Sequence, residues 1–264
     1  MSTPIRGFSK RSKQEKIDWL IQQYFNNDLA AKQTLENYWN SDDALQQLHD
    51  DFIENTVSNF YLPLGVAPNF TINGRDYTLP MAIEESSVVA AAAKAAKYWG
   101  DRGGFKTEVI GEEKIGQIHF IYTGDPLKLA EFITEIESQL RSDVANITHN
   151  MEKRGGGIQH IELRNKSSNI DNYYQLHLTF LTADSMGANF INSCLEELAK
   201  RLKYYIQASP IFAETEKDVE IVMSILSNYV PNCLAKASVR CPIEQLETEE
   251  GMSKHAFAEK FVRA

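Results

Sequence analysis

Apolar residues recur at helical spacing over the first fifty positions and give way to strand-like alternation beyond them. Ile17, Leu20, Ile21 and Tyr24 share one face behind Ser12, a good capping residue, and predict a first helix. Asn26-Asn27-Asp28 interrupts it. A second helix is expected from Ala30 toward Tyr38. A third is expected from Asp42 toward Val57, with Leu45, Leu48, Phe52 and Ile53 on one side. Residues 61–80 carry the pattern of a hairpin turning at Asn73-Gly74, two residues that tolerate positive φ. Met81 to Tyr98 then predicts a helix whose run of alanines from Ala90 to Ala93 favours helix and lets neighbouring backbones come close.

Gly103-Gly104 punctuates the chain, and a second pattern begins. Ile115 to Tyr122 alternates like a strand. Pro126 to Thr148 predicts one long amphipathic helix with Leu127, Leu129, Phe132, Ile136 and Leu140 inward. Strands are expected after Gly155-Gly156-Gly157, at Ile158–Arg164 and Tyr173–Leu181, followed by a helix over Ala188–Tyr205 and a strand at Val219–Leu226. The order from about Glu108 to Gln207 is β-α-β-β-α, close to a ferredoxin-like split βαβ arrangement. The expected fold class is therefore α+β, with a compact module set into a larger, helix-rich domain. A strand at Cys233–Val239 and a helix from near Ser253 follow. The sequence stops at Ala264 inside that helix and reads as interrupted there.

Composition narrows the function. The 43% hydrophobic and 24% charged residues suit a soluble globular protein. No apolar run approaches the ~20 residues that span a bilayer. The start lacks the apolar stretch of a secretory signal, so a cytoplasmic location is expected. Cys194, Cys233 and Cys241 are scattered, without CxxC spacing, and read as reduced thiols. A net charge of −9 argues against a general nucleic-acid binder. The short basic cluster Lys10-Arg11-Ser12-Lys13 reads as a solvated approach to the first helix. The six histidines show no metal-ligand spacing, so no metal site is expected, and neither GxSxG nor a P-loop occurs.

Three segments could carry chemistry. Glu84-Glu85-Ser86-Ser87 stands between the hairpin and the alanine helix. The pair of carboxylates fits plain capping at the positive end of a helix dipole. It also fits proton transfer, if one carboxyl is shielded from water. Asp184-Ser185-Met186-Gly187-Ala188-Asn189 joins a strand to a helix through small residues. Free amides there could face a pyrophosphate, although the segment is not GxGxxG and a simple capping aspartate explains it equally. Gly155-Gly156-Gly157, behind Lys153 and Arg154, serves either a tight turn or close approach of a ligand.

Taken in order, these segments resemble bacterial, class II hydroxymethylglutaryl-CoA reductases. The matching blocks are Glu54-Asn55-Thr56-Val57-Ser58, residues 62–70, residues 72–76, and the run from Pro80 to Ala93. Gly103 to Phe105, the triple glycine, Asp184 to Asn189 and Ile225 to Asn228 continue the series. The resemblance implies NAD(P)H-dependent interconversion of hydroxymethylglutaryl-CoA with mevalonate plus CoA, within isoprenoid metabolism. It implies a CoA-substrate domain from residues 1–108 and 218–264, truncated at its carboxyl end, and a small dinucleotide-binding domain at 109–217. By position Glu85 matches the family's catalytic glutamate and Asn228 an active-site asparagine. Ser87 matches a substrate-binding residue. Asp184, Met186, Gly187, Asn189 and Asn192 match the cofactor-binding segment. The family's active site lies between subunits, so a homodimer or higher assembly is implied.

Departures from the family qualify these expectations. The family's catalytic lysine, in a segment like HNKG, its aspartate and its histidine have no counterpart here. Glu249, Lys254 and Lys260 do not sit in such segments. Without a cation to stabilise the oxyanion, Glu85 alone should give little turnover. The alternative to an active reductase is therefore a catalytically incomplete fragment, or a non-catalytic relative that binds ligand or partner. Ser9 replaces an arginine that reaches the CoA phosphates in some relatives, with Lys10 and Arg11 as substitutes. Thr148 stands where an NAD-preferring relative has an aspartate, and Lys153 or Arg154 could attract a 2′-phosphate. Between NADPH and NADH, the expectation leans to NADPH.

Overall fold

The computed structural model describes residues 5–246 and 251–263. Glu249 lies outside the described residues. The fold is α+β, and the chain divides into two compact units, Met1–Gly104 with Cys241–Ala264, and Phe105–Arg240. No helix among the described residues is long and apolar enough to cross a membrane.

In the first unit, helix α1 (Lys13–Tyr24) starts in a reciprocal cap. The Glu15 amide donates to Ser12 Oγ at 3.3 Å, and the Ser12 amide to the Glu15 carboxylate at 2.8 Å. Ile17 and Ile21 are buried. Asn26 and Asn27 adopt positive φ, and Asp28 caps α2 (Leu29–Asn37). Helix α3 (Asp43–Asp50) stops well short of Val57. The Thr56 hydroxyl donates to the carbonyls of Asp50 and Ile53, and Asn55 turns the chain with a left-handed φ of 59°. The expected apolar side does not reach a core: Leu45, Leu48, Phe52 and Ile53 are all exposed.

Strands β1 (Leu64–Ile72) and β2 (Arg75–Ala82) form the hairpin, with Ile72 opposite Arg75 and Asn73 and Gly74 at positive φ. Met81 and Ala82 complete β2 rather than opening a helix, so α4 (Val88–Gly100) begins seven residues later than expected. It packs on β1, with Val89 methyls close to Gly65.

The second unit opens with β3 (Lys106–Glu112), a strand with no counterpart in the sequence reading. Five of its first positions are exposed, so it carries no alternation of buried and exposed residues. Then come β4 (Lys114–Tyr122), α5 (Pro126–Asp143), α6 (Ala145–Glu152), β5 (Gly157–Asn165), β6 (Tyr173–Leu181), α7 (Ala188–Ala208), β7 (Val219–Leu226) and β8 (Cys233–Ser238). The expected single helix over 126–148 is broken at Val144, which is fully buried. The break is fixed from outside the helix. Arg141 donates to the carbonyls of Ile158 and Gln159, and the Tyr205 hydroxyl to Asp143 at 2.6 Å.

The main sheet has the order β5-β6-β4-β7, each neighbour antiparallel, and β3 and β8 form a separate antiparallel pair. The second unit is thus wider than residues 109–217, because β7 pairs along β4 and completes the sheet. Ile118, Phe120, Tyr122, Leu176, Leu178 and Phe180 point to one face, against Leu129 and Leu140 of α5 and Leu195, Leu198 and Leu202 of α7. Each such buried side chain stabilises the fold by roughly 1.5–3 kcal/mol. The other face is polar, with Gln117, His119, Gln175, His177 and Thr179 along β4 and β6. The chain finally returns to the first unit, where α8 (Lys254–Arg263) lines an apolar recess with Tyr98 and Trp99.

Candidate active site

One end of the main sheet collects six of the eight residues singled out from the sequence. β4 and β5 begin there and β6 and β7 end there: Lys114 lies opposite Phe180, Gly157 opposite Leu181, and Gly116 opposite Leu226. Beyond β6 the chain makes a tight turn, Thr182 to Gly187, and enters α7.

A lysine clasps that turn. Lys114 Nζ donates to Thr182 Oγ1 at 2.9 Å, to the Ser185 carbonyl at 2.7 Å and to the Met186 carbonyl at 3.0 Å. The ammonium has three protons, so these bonds use its full donor capacity. The Ser185 hydroxyl and amide both return to the Thr182 carbonyl. Gly187 closes the turn at a φ of 78°, and a Cβ there would lie 2.4 Å from the Thr182 methyl. Both facts require glycine. The first amides of α7 have no partners within the helix, and no acidic residue stands in its first turn. A 21-residue helix presenting free amides past a small-residue turn fits a pyrophosphate. Asp184, Met186 and Asn189 are exposed around this turn.

Asn192 faces inward instead. Its Oδ1 accepts from the Leu226 amide at 2.9 Å and ties α7 to the end of β7. Two residues on, Asn228 is exposed, on a turn in which the Tyr229 amide donates to Ser227 Oγ at 3.1 Å. The triple glycine sits at the same end. Gly155 turns the chain at a φ of 82° and the Gly156 amide donates to the Met151 carbonyl at 3.0 Å, while Gly156 packs so closely that a Cβ would lie 2.4 Å from the Leu181 carbonyl. Lys153 and Arg154 are exposed at the end of α6, whereas Thr148 is buried, so Thr148 offers no hydroxyl to a ligand at the surface.

Glu85 and Ser87 belong to the first unit. They lie in the loop between β2 and α4. Ser87 is the N-terminal flanking residue of α4, held at a φ of 72° that is rare for serine, and its hydroxyl makes no capping bond. Such backbone strain clusters at functional loops. Glu84 and Glu85 are exposed and make no hydrogen bond among the described residues. The shielding from water expected for one of them is therefore not supplied by the first unit.

Sequence reasoning missed Lys114 and Thr182. Neither belongs to a motif, and Lys114 finds its partners 68–72 residues away.

Comparison with known proteins agrees with the segment order. The family model described as hydroxymethylglutaryl-coenzyme A reductase matches residues 13–264. A 3-hydroxy-3-methylglutaryl-coenzyme A reductase of Archaeoglobus fulgidus is 32% identical over 237 residues, 90% of this chain and 51% of the relative. A probable reductase of the same name from Borreliella burgdorferi is 33% identical over 196 residues, 72% of this chain and 41% of the relative. A solved class II reductase of Streptococcus pneumoniae, bound to NADPH in open conformations, superposes with a TM-score of 0.65 at 29% identity, over 98% of this chain and 65% of that one. The chain spans about half the length of the curated relatives it matches. With the match covering almost every residue, the chain belongs to the hydroxymethylglutaryl-coenzyme A reductase family.

Proposed function

We propose that this chain supplies the dinucleotide site and the proton-transfer carboxyl of a reductase that interconverts hydroxymethylglutaryl-CoA with mevalonate and CoA. The observation that carries this reading is the convergence of Asp184, Met186, Gly187, Asn189, Asn192 and Asn228 on one end of one sheet. In the reductive direction two hydrides and two protons are taken up, one C–S bond breaks, and CoA leaves as the thiol. Bound reduced nicotinamide supplies hydride. This chain's residues bind and position: the turn at Gly187 and the amides of α7 hold the pyrophosphate, and Lys114 fixes the turn. Asn228 lines the substrate side. Glu85 carries protons to and from the substrate oxygen, and Ser87 contacts the hydroxymethylglutaryl group.

The first unit takes the CoA-substrate role and the second the dinucleotide role. The strand order β5-β6-β4-β7, antiparallel throughout, supports a ferredoxin-like reading of the second unit, set into the sequence of the first. NADPH is the proposed cofactor. The NADPH-bound relative and the exposed Lys153 and Arg154 support it over NADH. The exposed apolar side of α3 and the loop after it supports a homodimer, and a second subunit would supply the shielding that Glu85 lacks here.

The test is a coupled assay of the chain alone and with a carboxy-terminal reductase segment bearing the family's lysine. The expected result is NADPH consumption dependent on hydroxymethylglutaryl-CoA only when both are present. Absence of NADPH binding by the chain would overturn the assignment.

A further inference from the structure

In the first unit, α1, α3 and the segment after α3 meet in one polar knot. Its centre is Gln46 of α3, which is only 8% exposed. The carbonyl oxygen of Gln46 accepts from the Asn40 amide at 2.6 Å and from Asn59 Nδ2 at 2.7 Å, and its Nε2 donates to Asp50 at 2.8 Å. Lys13 of α1 donates to both Asp50 oxygens, at 2.8 and 2.9 Å, and its ammonium lies 4.3 Å over the Trp39 ring. Trp39 Nε1 donates to the Val57 carbonyl at 3.0 Å, and the Ser58 hydroxyl to the Leu35 carbonyl at 2.6 Å. Residues 57–59 belong to no helix or strand, yet side-chain bonds hold each of them.

The knot fixes an apolar surface. Residues 52–66 contain one charged residue, Glu54, while Phe52, Ile53, Phe60, Leu62 and Leu64 are all exposed. Scattered apolar side chains on a surface need no explanation, but a run of this kind marks a face that another molecule covers.

Charge selects the occupant. The chain carries a net −9, so two copies repel and can meet only through a face nearly free of charge. The 52–66 segment is such a face. A basic partner would be drawn instead to the carboxylates elsewhere on the surface, and a nucleic acid would be repelled.

We infer that Gln46 is a positioning residue for self-association: through Asn40, Asp50 and Asn59 it sets the 57–61 segment, and with it the surface on which a second copy docks. The inference rests on the homodimer of the proposed function and adds the group that sets its geometry.

The test is sedimentation equilibrium of the full 264-residue chain and its variants, with thermal melts to establish that each is folded. The wild type is expected to form a reversible dimer. Gln46→Glu places an oxygen where Nε2 now donates, facing the Asp50 carboxylate, and should weaken the dimer by about ten- to hundredfold. Combining Gln46→Glu with Asp50→Asn returns a donor and an acceptor to that contact in exchanged places, at unchanged net charge. The dimer should then recover to within about threefold of wild type, a result that a role in volume or helix propensity would not give. Phe60→Ser should abolish the dimer and leave the melting temperature of the monomer unaltered. A wild type that is monomeric at every concentration overturns the homodimer reading and this inference with it. A wild-type dimer that Gln46→Glu leaves intact, that the exchange does not restore, or that Phe60→Ser does not weaken overturns the inference alone. If Gln46→Glu does not fold, the exchange decides: a folded dimer supports the inference, and an unfolded or monomeric chain overturns it.

Discussion

Asn192 accepts a hydrogen bond from the Leu226 amide at 2.9 Å, so the start of α7 and the end of β7 are held as one piece. The turn before α7 and the asparagine after β7 therefore move together. Asn192→Leu keeps the volume and removes the acceptor. It should cost about 1–3 kcal/mol, the usual penalty for stranding a partly buried amide, and weaken NADPH binding. Thermal melts and a fluorescence titration check both. An unchanged NADPH affinity would separate Asn192 from the cofactor site.

Gly187→Ala tests the turn itself. The new methyl meets Thr182 at 2.4 Å, and the backbone stays at a φ of 78°. A cost of about 1–3 kcal/mol is expected, with NADPH binding reduced tenfold or more. Asp184→Ala, by contrast, removes an exposed side chain with no partner among the described residues and should leave stability within about 0.5 kcal/mol of wild type, read by thermal melts.

Lys114→Met keeps the aliphatic stem and deletes all three bonds to the turn. The turn carbonyls of Ser185 and Met186 then lose their cation. NADPH affinity is expected to fall several-fold, with the far side of the sheet unaltered by hydrogen exchange. Equal affinity in the variant would remove Lys114 from the cofactor site.

These targets show what was legible in advance. The starts of α1, α2, α3 and α5 were readable because their signals are local: Ser12, Asp28, Asp42 and Asp125 each accept from an amide two or three residues on, whereas α4, which has no such side-chain cap, begins seven residues later than expected. The hairpin was readable from Asn73-Gly74 for the same reason. Helix ends set by distant partners were not. The break at Val144 depends on Arg141 reaching β5 and Tyr205 reaching Asp143. The end of α3 depends on Thr56. At the candidate site, the turn residues were visible as a small-residue segment, but the clasp by Lys114 was invisible because strand pairing creates it. The exposure of Glu85 was equally unreadable, since shielding is a property of the assembled surface.

Stability should fall in two stages on acidification. Burial holds the imidazoles of His177 and His119 below their ordinary value of 6.5. A depressed folded pKa gives stability that is complete above the unfolded value and lost as pH falls through the folded one, so the first loss begins near pH 6.5. Glu216 gives the second. Its carboxylate accepts from Lys128 Nζ and from the amides of Ala213 and Asp125, which hold it at about 2 against an ordinary 4.5. That stability is complete above pH 4.5 and is lost toward pH 2. Melting temperature against pH should show both stages, His177→Gln should shrink the first, and Glu216→Gln the second.

The most direct test concerns Glu85→Gln in the chain assayed together with a carboxy-terminal reductase segment bearing the family's lysine. Mevalonate formation should drop by at least about a hundredfold, the usual worth of a positioned acid–base group, while NADPH binds the variant as tightly as the wild type. Turnover equal to wild type would contradict the assignment of proton transfer to this carboxyl.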